Sequence, residues 1–205
     1  MGGEPVVAAK LTHDAAIAPD ASRIRRASSG GRLVPRLAAA YVAGWCALLT
    51  GALACALLPG ARWLAHATFG LALGARLHPA GAPSVAGALA LLANNGRAAA
   101  WPLLPAALGA GRLPGARRVV DAAVFISLAL NLLPVGAALG IYRLGLAPYL
   151  PQLPLELYAV TSAAACWQAS RRRRLCRHEV AAITASIMLA LVLAALLEIW
   201  AVPHR

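Results

Sequence analysis

Charge is scarce in this chain. Asp, Glu, Lys and Arg make up 13% of its 205 residues, and only seven residues are acidic, whereas a soluble domain carries about 25% charged residues. Together with a 60% hydrophobic content and a mean hydropathy of +0.69, this excludes an ordinary water-soluble globule. It equally excludes a disordered basic protein, which would need low hydrophobicity beside its charge. Lysine is nearly absent: one lysine stands against eighteen arginines and fifty-one alanines, the mark of GC-rich coding rather than of function. The four cysteines, Cys46, Cys55, Cys166 and Cys176, show no C-x-x-C spacing and read as small hydrophobes.

Recognisable catalytic constellations are missing as well. His178-Glu179 begins an H-E-x-x-H pattern, but Ala182 stands where the second histidine belongs. There is no G-x-S-x-G elbow, P-loop or dinucleotide fingerprint. His66 and His78 lie twelve residues apart with no further ligand nearby. The expectation is a protein that is not an enzyme and carries neither metal nor cofactor.

What is present is a series of apolar runs: Leu37 to Leu58, Val85 to Gly109, Val119 to Ile141, Pro154 to Ala169 and Val180 to Val202. A bilayer needs about 20 apolar residues per helix, so the expected fold is an all-α, polytopic membrane helix bundle of about five spans. Residues 1–36, rich in Gly, Ser and Pro with six basic residues, read as a flexible basic cytoplasmic tail, and 37–205 as the transmembrane domain. The first run is too long for the core of a cleaved secretory signal, and the Arg25-Arg26 pair reads as a charge anchor. Between Pro59 and Ser84 the expectation is a short helix lying in the interface.

The cations decide orientation. Fourteen of the nineteen fall in the tail, in Ala110–Arg118 or in Ser170–Glu179. That asymmetry predicts a cytoplasmic N-terminus and an outer C-terminus, in a bacterial cytoplasmic membrane. The pI near 11.2 is then a topology signal, and no nucleic-acid partner is expected. The expected partners are the lipid bilayer, other proteins or further copies of this chain.

Polar residues at membrane depth are expensive and each asks for a role. Asn94, Asn95 and Arg97 lie in the second run and Asn131 in the third. At 1.5 Å per residue, Asn94 and Asn131 reach depths of roughly 13 and 15 Å, so a hydrogen bond between them is expected, with a solute or ion site as the functional alternative. Leu144 to Leu155 is apolar yet contains Pro148 and Pro151, with Pro154 at its end, and cannot form a regular helix. It is expected to be a partly re-entrant lead into the fourth span, with Pro154 at the first helical position. Glu156 follows, either meeting the free N–H groups of that first turn or pairing with Arg97 or the asparagines.

Three stretches, "NN" at Asn94-Asn95, "NLLPVGAALG" from Asn131 and "PQLPLELYAV" at Pro151 to Val160, resemble the stage II sporulation protein M family of integral membrane proteins. Pro151, Glu156, Leu157 and Ala159 match that family's Pro-His-Gly-x-x-Glu-hydrophobic-x-Ala pattern, while Gln152 and Leu153 replace its His-Gly pair. The resemblance covers about Val85 to Arg174. It implies a non-catalytic multi-span scaffold or accessory protein, similar to an anchor that recruits cell-wall hydrolases. The GC-rich coding points to a source that forms no endospores, so the resemblance transfers architecture and an accessory role rather than engulfment. The alternative from the residues alone is a small transporter or transporter subunit with its polar site at Asn94, Asn131 and Glu156.

Overall fold

A computed structural model describes residues 33–70, 85–110, 113–173 and 175–201. The chain divides into Met1–Val34 and Pro35–Arg205. Most of the predicted basic tail, His78 and part of the Pro59 to Ser84 loop lie outside the described residues. The described residues are helical and contain no strand: α1 (Leu33–Leu57), α2 (Pro59–Phe69), α3 (Val85–Ala107), α4 (Pro114–Tyr142), a 3₁₀ segment (Arg143–Tyr149), α5 (Leu153–Ser170) and α6 (Arg177–Ala201).

Proline sets several of these starts. Pro59, Pro114 and Pro154 sit in the first two positions of α2, α4 and α5, where the missing N–H would have had no helical acceptor. Pro35, in the first turn of α1, is tolerated for the same reason, so α1 begins at Leu33 rather than at the expected Leu37. Pro154 takes the second helical position rather than the first, because Leu153 already has helical geometry. The predicted failure of a regular helix before α5 takes the form of the 3₁₀ segment. The chain enters it through Arg143, which has φ +49°, a region that non-glycine residues seldom occupy.

Among the described residues, three helical stretches are long and apolar enough to cross a membrane: Leu33–Leu57, Pro114–Tyr149 and Arg177–Ile199. Their outward residues include Val42, Leu49, Leu53, Phe125, Ile126, Leu130 and Leu189, all exposed. In water this would be a large apolar surface; against lipid tails it carries no penalty. α5 is the opposite. Leu157, every residue from Ala159 to Trp167, Ala169 and Ser170 are buried, so α5 is the core of the bundle. It packs on α3 and α6, which also pack on each other.

Close approach joins α1 to its neighbours. A Cβ placed on Gly44 would come within 2.6 Å of Thr161 Cγ2 on α5, and one on Gly136 of α4 within 2.7 Å of the Leu48 carbonyl oxygen. Past the end of α1, Arg62 on α2 turns back and donates from Nε and Nη2 to the carbonyls of Cys55 and Ala56. Those carbonyls lie in the last turn, where helical N–H partners run out.

Candidate functional site

The polar residues of α3, α4 and α5 converge. Asn94 and Asn95 from α3, Asn131 from α4 and Glu156 from the first turn of α5 line one cavity of about 260 Å³, with Leu48, Leu157 and Leu191 among its apolar walls. Asn95 Nδ2 donates to Glu156 Oε1 at 2.7 Å across 61 residues of sequence. An amide N–H on a carboxylate is among the stronger hydrogen bonds available, and here it ties α3 to the start of α5.

Pro134 shapes the same cavity. It has no N–H to offer the Leu130 carbonyl four residues earlier, and both residues are in the lining. Irregular hydrogen bonding at such depth is tolerated where it lines a cavity rather than lipid.

Two expected pairings are corrected. Asn131 Nδ2 donates to the Ser127 carbonyl on its own helix at 2.7 Å rather than to Asn94. A carbonyl one turn earlier lies directly beneath a helical side chain, and equal depth does not imply facing sides. Arg97 does not pair with Glu156; its Nη2 donates to Asn94 Oδ1 at 3.4 Å in an exposed position. Both expected roles of Glu156 are met: it lies in the first turn of α5, at the positive end of the helix dipole, and of the expected partners it is an asparagine, Asn95, that it bonds. Pro151 is exposed and absent from the cavity lining.

Two further acidic side chains, Asp121 and Glu179, occupy a second polar region. Asp121 Oδ1 accepts from Trp167 Nε1 at 2.9 Å and pairs with Arg171 at 3.2 Å. Glu179 takes both terminal nitrogens of Arg173, at 2.6 and 2.8 Å, and the backbone N–H of Cys176 at 3.0 Å. The bond from Glu179 holds the Arg173 guanidinium above its ordinary pKa. This is the job of the truncated H-E-x-x-H: the carboxylate clamps the α5–α6 turn and starts α6. Among the described residues, no group of three or more His, Cys, Asp or Glu side chains could hold a metal.

Two features escaped the sequence reading. Gly136-x-x-x-Gly140 is a small-residue contact motif, legible in "GAALG" and passed over. Gln152 registered only as a departure from a family pattern; in the structure it is 5% exposed, and its Oε1 finds no hydrogen-bond partner among the described residues. Comparison with known protein families, with curated proteins and with solved structures finds no match.

Proposed function

We propose that the chain is a small membrane transporter or transporter subunit, and that the cavity bounded by Asn94, Asn95, Asn131 and Glu156 binds the solute it moves. The observation that carries this is the convergence of four polar side chains from three helices on one space. A bundle held together only for its shape would need no such group, because polar side chains at membrane depth are costly. The start of α5 beyond a broken, proline-rich segment is the kind of helix end at which transporters hold solutes.

In this reading the bundle has five spans, with α3 and α5 joining the three apolar ones. The 18 residues of α5 extend about 27 Å at 1.5 Å each, close to the hydrocarbon thickness of about 30 Å. Its modest hydropathy follows from its place at the centre, where neighbouring helices rather than lipid cover it. The cation asymmetry then places the N-terminus and the Arg171–Arg177 turn in the cytoplasm of a bacterial cell, and the proline-rich lead into α5 on the outer side, where it is partly re-entrant. In a background without native cysteines, Arg173→Cys is expected to react with an impermeant maleimide only after the membrane is opened. Labelling of intact cells would reverse the orientation.

The functional test is accumulation of a panel of small labelled solutes in proteoliposomes. Glu156→Gln and Asn95→Leu are each expected to lower uptake of the transported solute by about tenfold or more, the scale of losing one charge-assisted hydrogen bond. Monodisperse, correctly inserted variants with unchanged uptake would end the site reading. The scaffold role implied by the sporulation-protein resemblance would then be the better account.

A further inference from the structure

We infer that the cavity between α3, α4 and α5 holds a monovalent alkali-metal cation on the free carboxylate oxygen of Glu156 and the amide oxygens of Asn95 and Asn131. The inference rests on the transporter reading and names the ion that enters the site with the solute. Its ground is the way the polar groups of the site are already paired. Asn95 turns its Nδ2 to Glu156 Oε1, and Asn131 turns its Nδ2 to the Ser127 carbonyl. The side-chain atoms left wholly without a hydrogen-bond partner among the described residues are therefore oxygens: Glu156 Oε2, Asn95 Oδ1 and Asn131 Oδ1.

These oxygens are open. Among the described residues, the polar side-chain atoms that are both sealed off and unpartnered are Gln152 Oε1, Ser162 Oγ and Arg171 Nε. Glu156, Asn95 and Asn131 are only partly buried, their unpaired oxygens keep accessible surface, and the space that all three residues line is the cavity of about 260 Å³. Asn94 lines it too, but its Oδ1 takes Arg97 Nη2 in an exposed position. On the α4 wall, Pro134 has no N–H for the Leu130 carbonyl, which leaves that side of the cavity rich in oxygen as well.

Charge and ligand type select the occupant. Among the described residues lining the cavity, Glu156 is the one ionisable side chain, and neither Asp121–Arg171 nor Arg173–Glu179, the ion pairs of the described residues, involves it. A carboxylate without a counter-charge in a poorly solvated place is costly and calls for one positive charge. A divalent ion would exchange one uncompensated charge for another. Carboxylate and carbonyl oxygens suit hard cations. A proton on Glu156 would supply a single O–H and meet a single acceptor, whereas a metal ion takes several oxygens at once in place of its hydration shell. Such an ion needs little more room than a water molecule, about 30 Å³, so most of the cavity stays free for the solute. Transporters hold their coupling cations at broken helix ends of this kind.

The probes are radiolabelled sodium and radiolabelled rubidium, the latter standing in for potassium, bound at equilibrium to the full chain in detergent micelles at constant ionic strength. Saturable binding of at least one of them is expected, displaced by the same unlabelled ion and not by choline. Glu156→Gln should weaken it about tenfold or more, and Asn131→Leu, which keeps the bulk and removes the oxygen, should weaken it in the same direction. Asn131→Asp, which keeps an oxygen and adds a charge, is expected to shift preference towards calcium, since divalent sites gather carboxylates. An unchanged preference in a folded Asn131→Asp protein would overturn the inference even where the other variants do not fold. So would the absence of saturable binding of both ions to the unaltered chain, unchanged affinity in Glu156→Gln, or displacement by choline or ammonium as effective as by the alkali ion. If neither ion binds while Glu156→Gln still depresses uptake of a solute, the cation falls and the transporter reading stands. If an ion binds but Glu156→Gln leaves all uptake intact, the transporter reading falls and takes the coupling role with it.

Discussion

Gly140→Val is expected to lower the thermal midpoint of the detergent-solubilised protein by roughly 6–12 °C, the shift that corresponds to about 3 kcal/mol in a chain of this size. A Cβ on Gly140 would press on the Ala52 carbonyl oxygen and come within 2.8 Å of the Cys55 Cβ. One turn earlier, Gly136 faces the Leu48 carbonyl oxygen in the same way. Backbone atoms cannot rotate aside as a side-chain tip can, so α1 and α4 must separate. Overpacking costs about 1–3 kcal/mol when side chains can adjust, and the upper end applies where the obstacle is main chain. Separation would also uncover Cys55, which is 6% exposed, so its reaction with a maleimide should accelerate in step with the loss of stability. Gly96→Ala is the control, since a Cβ there meets nothing within 4 Å and alanine favours a helix interior. A Gly140→Val protein with an unchanged midpoint would show that α1 and α4 are not in contact at this seam.

The same seam shows what the sequence could and could not disclose. Helix positions followed from apolar runs broken by proline and glycine, and α3 was expected from Val85 and begins there. The convergence of Asn94, Asn131 and Glu156 was legible because each is a polar residue at a depth where few are tolerated. Their partners were not. Depth along a helix is fixed by counting residues, but each step turns the side chain by about 100°. Asn94 and Asn95 therefore point in different directions, and only the packing of α3 on α5 decides which of them meets Glu156. Five runs were expected to cross the bilayer, whereas among the described residues three helical stretches are long and apolar enough to do so. α5 is rich in Ala, Ser and Thr and buried along most of its length, so it has no need of the lipid-compatible surface by which apolar runs are recognised. Gln152 was invisible because an unmet acceptor is a property of surroundings, not of residue type.

Trp167→Ala is expected to destabilise the bundle by about 3–5 kcal/mol, the range for removing a large aromatic side chain from a packed interior. Trp167 is 1% exposed, in the most buried helix, and its indole does two separable things. Its rings fill the core, and its Nε1 donates to Asp121 Oδ1 at 2.9 Å, the oxygen that Arg171 Nη1 approaches at 3.2 Å. Trp167→Phe keeps much of the ring volume and loses the N–H. It should cost less than the alanine variant, about 1–2 kcal/mol, part of it from an Asp121 carboxylate left with one partner instead of two. A double-mutant cycle of Trp167→Phe with Asp121→Ala isolates the bond from the packing. A coupling energy near 1 kcal/mol is expected, because the pair is partly buried and the acceptor is charged. Zero coupling would mean that Arg171 alone holds the carboxylate and that the indole matters for volume only. The distinction bears on how α4 is anchored, since Asp121 lies two turns into α4 while Trp167 and Arg171 stand one turn apart at the end of α5 and just beyond it. This contact and the Arg173–Glu179 clamp on the following turn fix α4, α5 and α6 at one end of the bundle, so that the Asn95–Glu156 bond fixes α3 and α5 at the other.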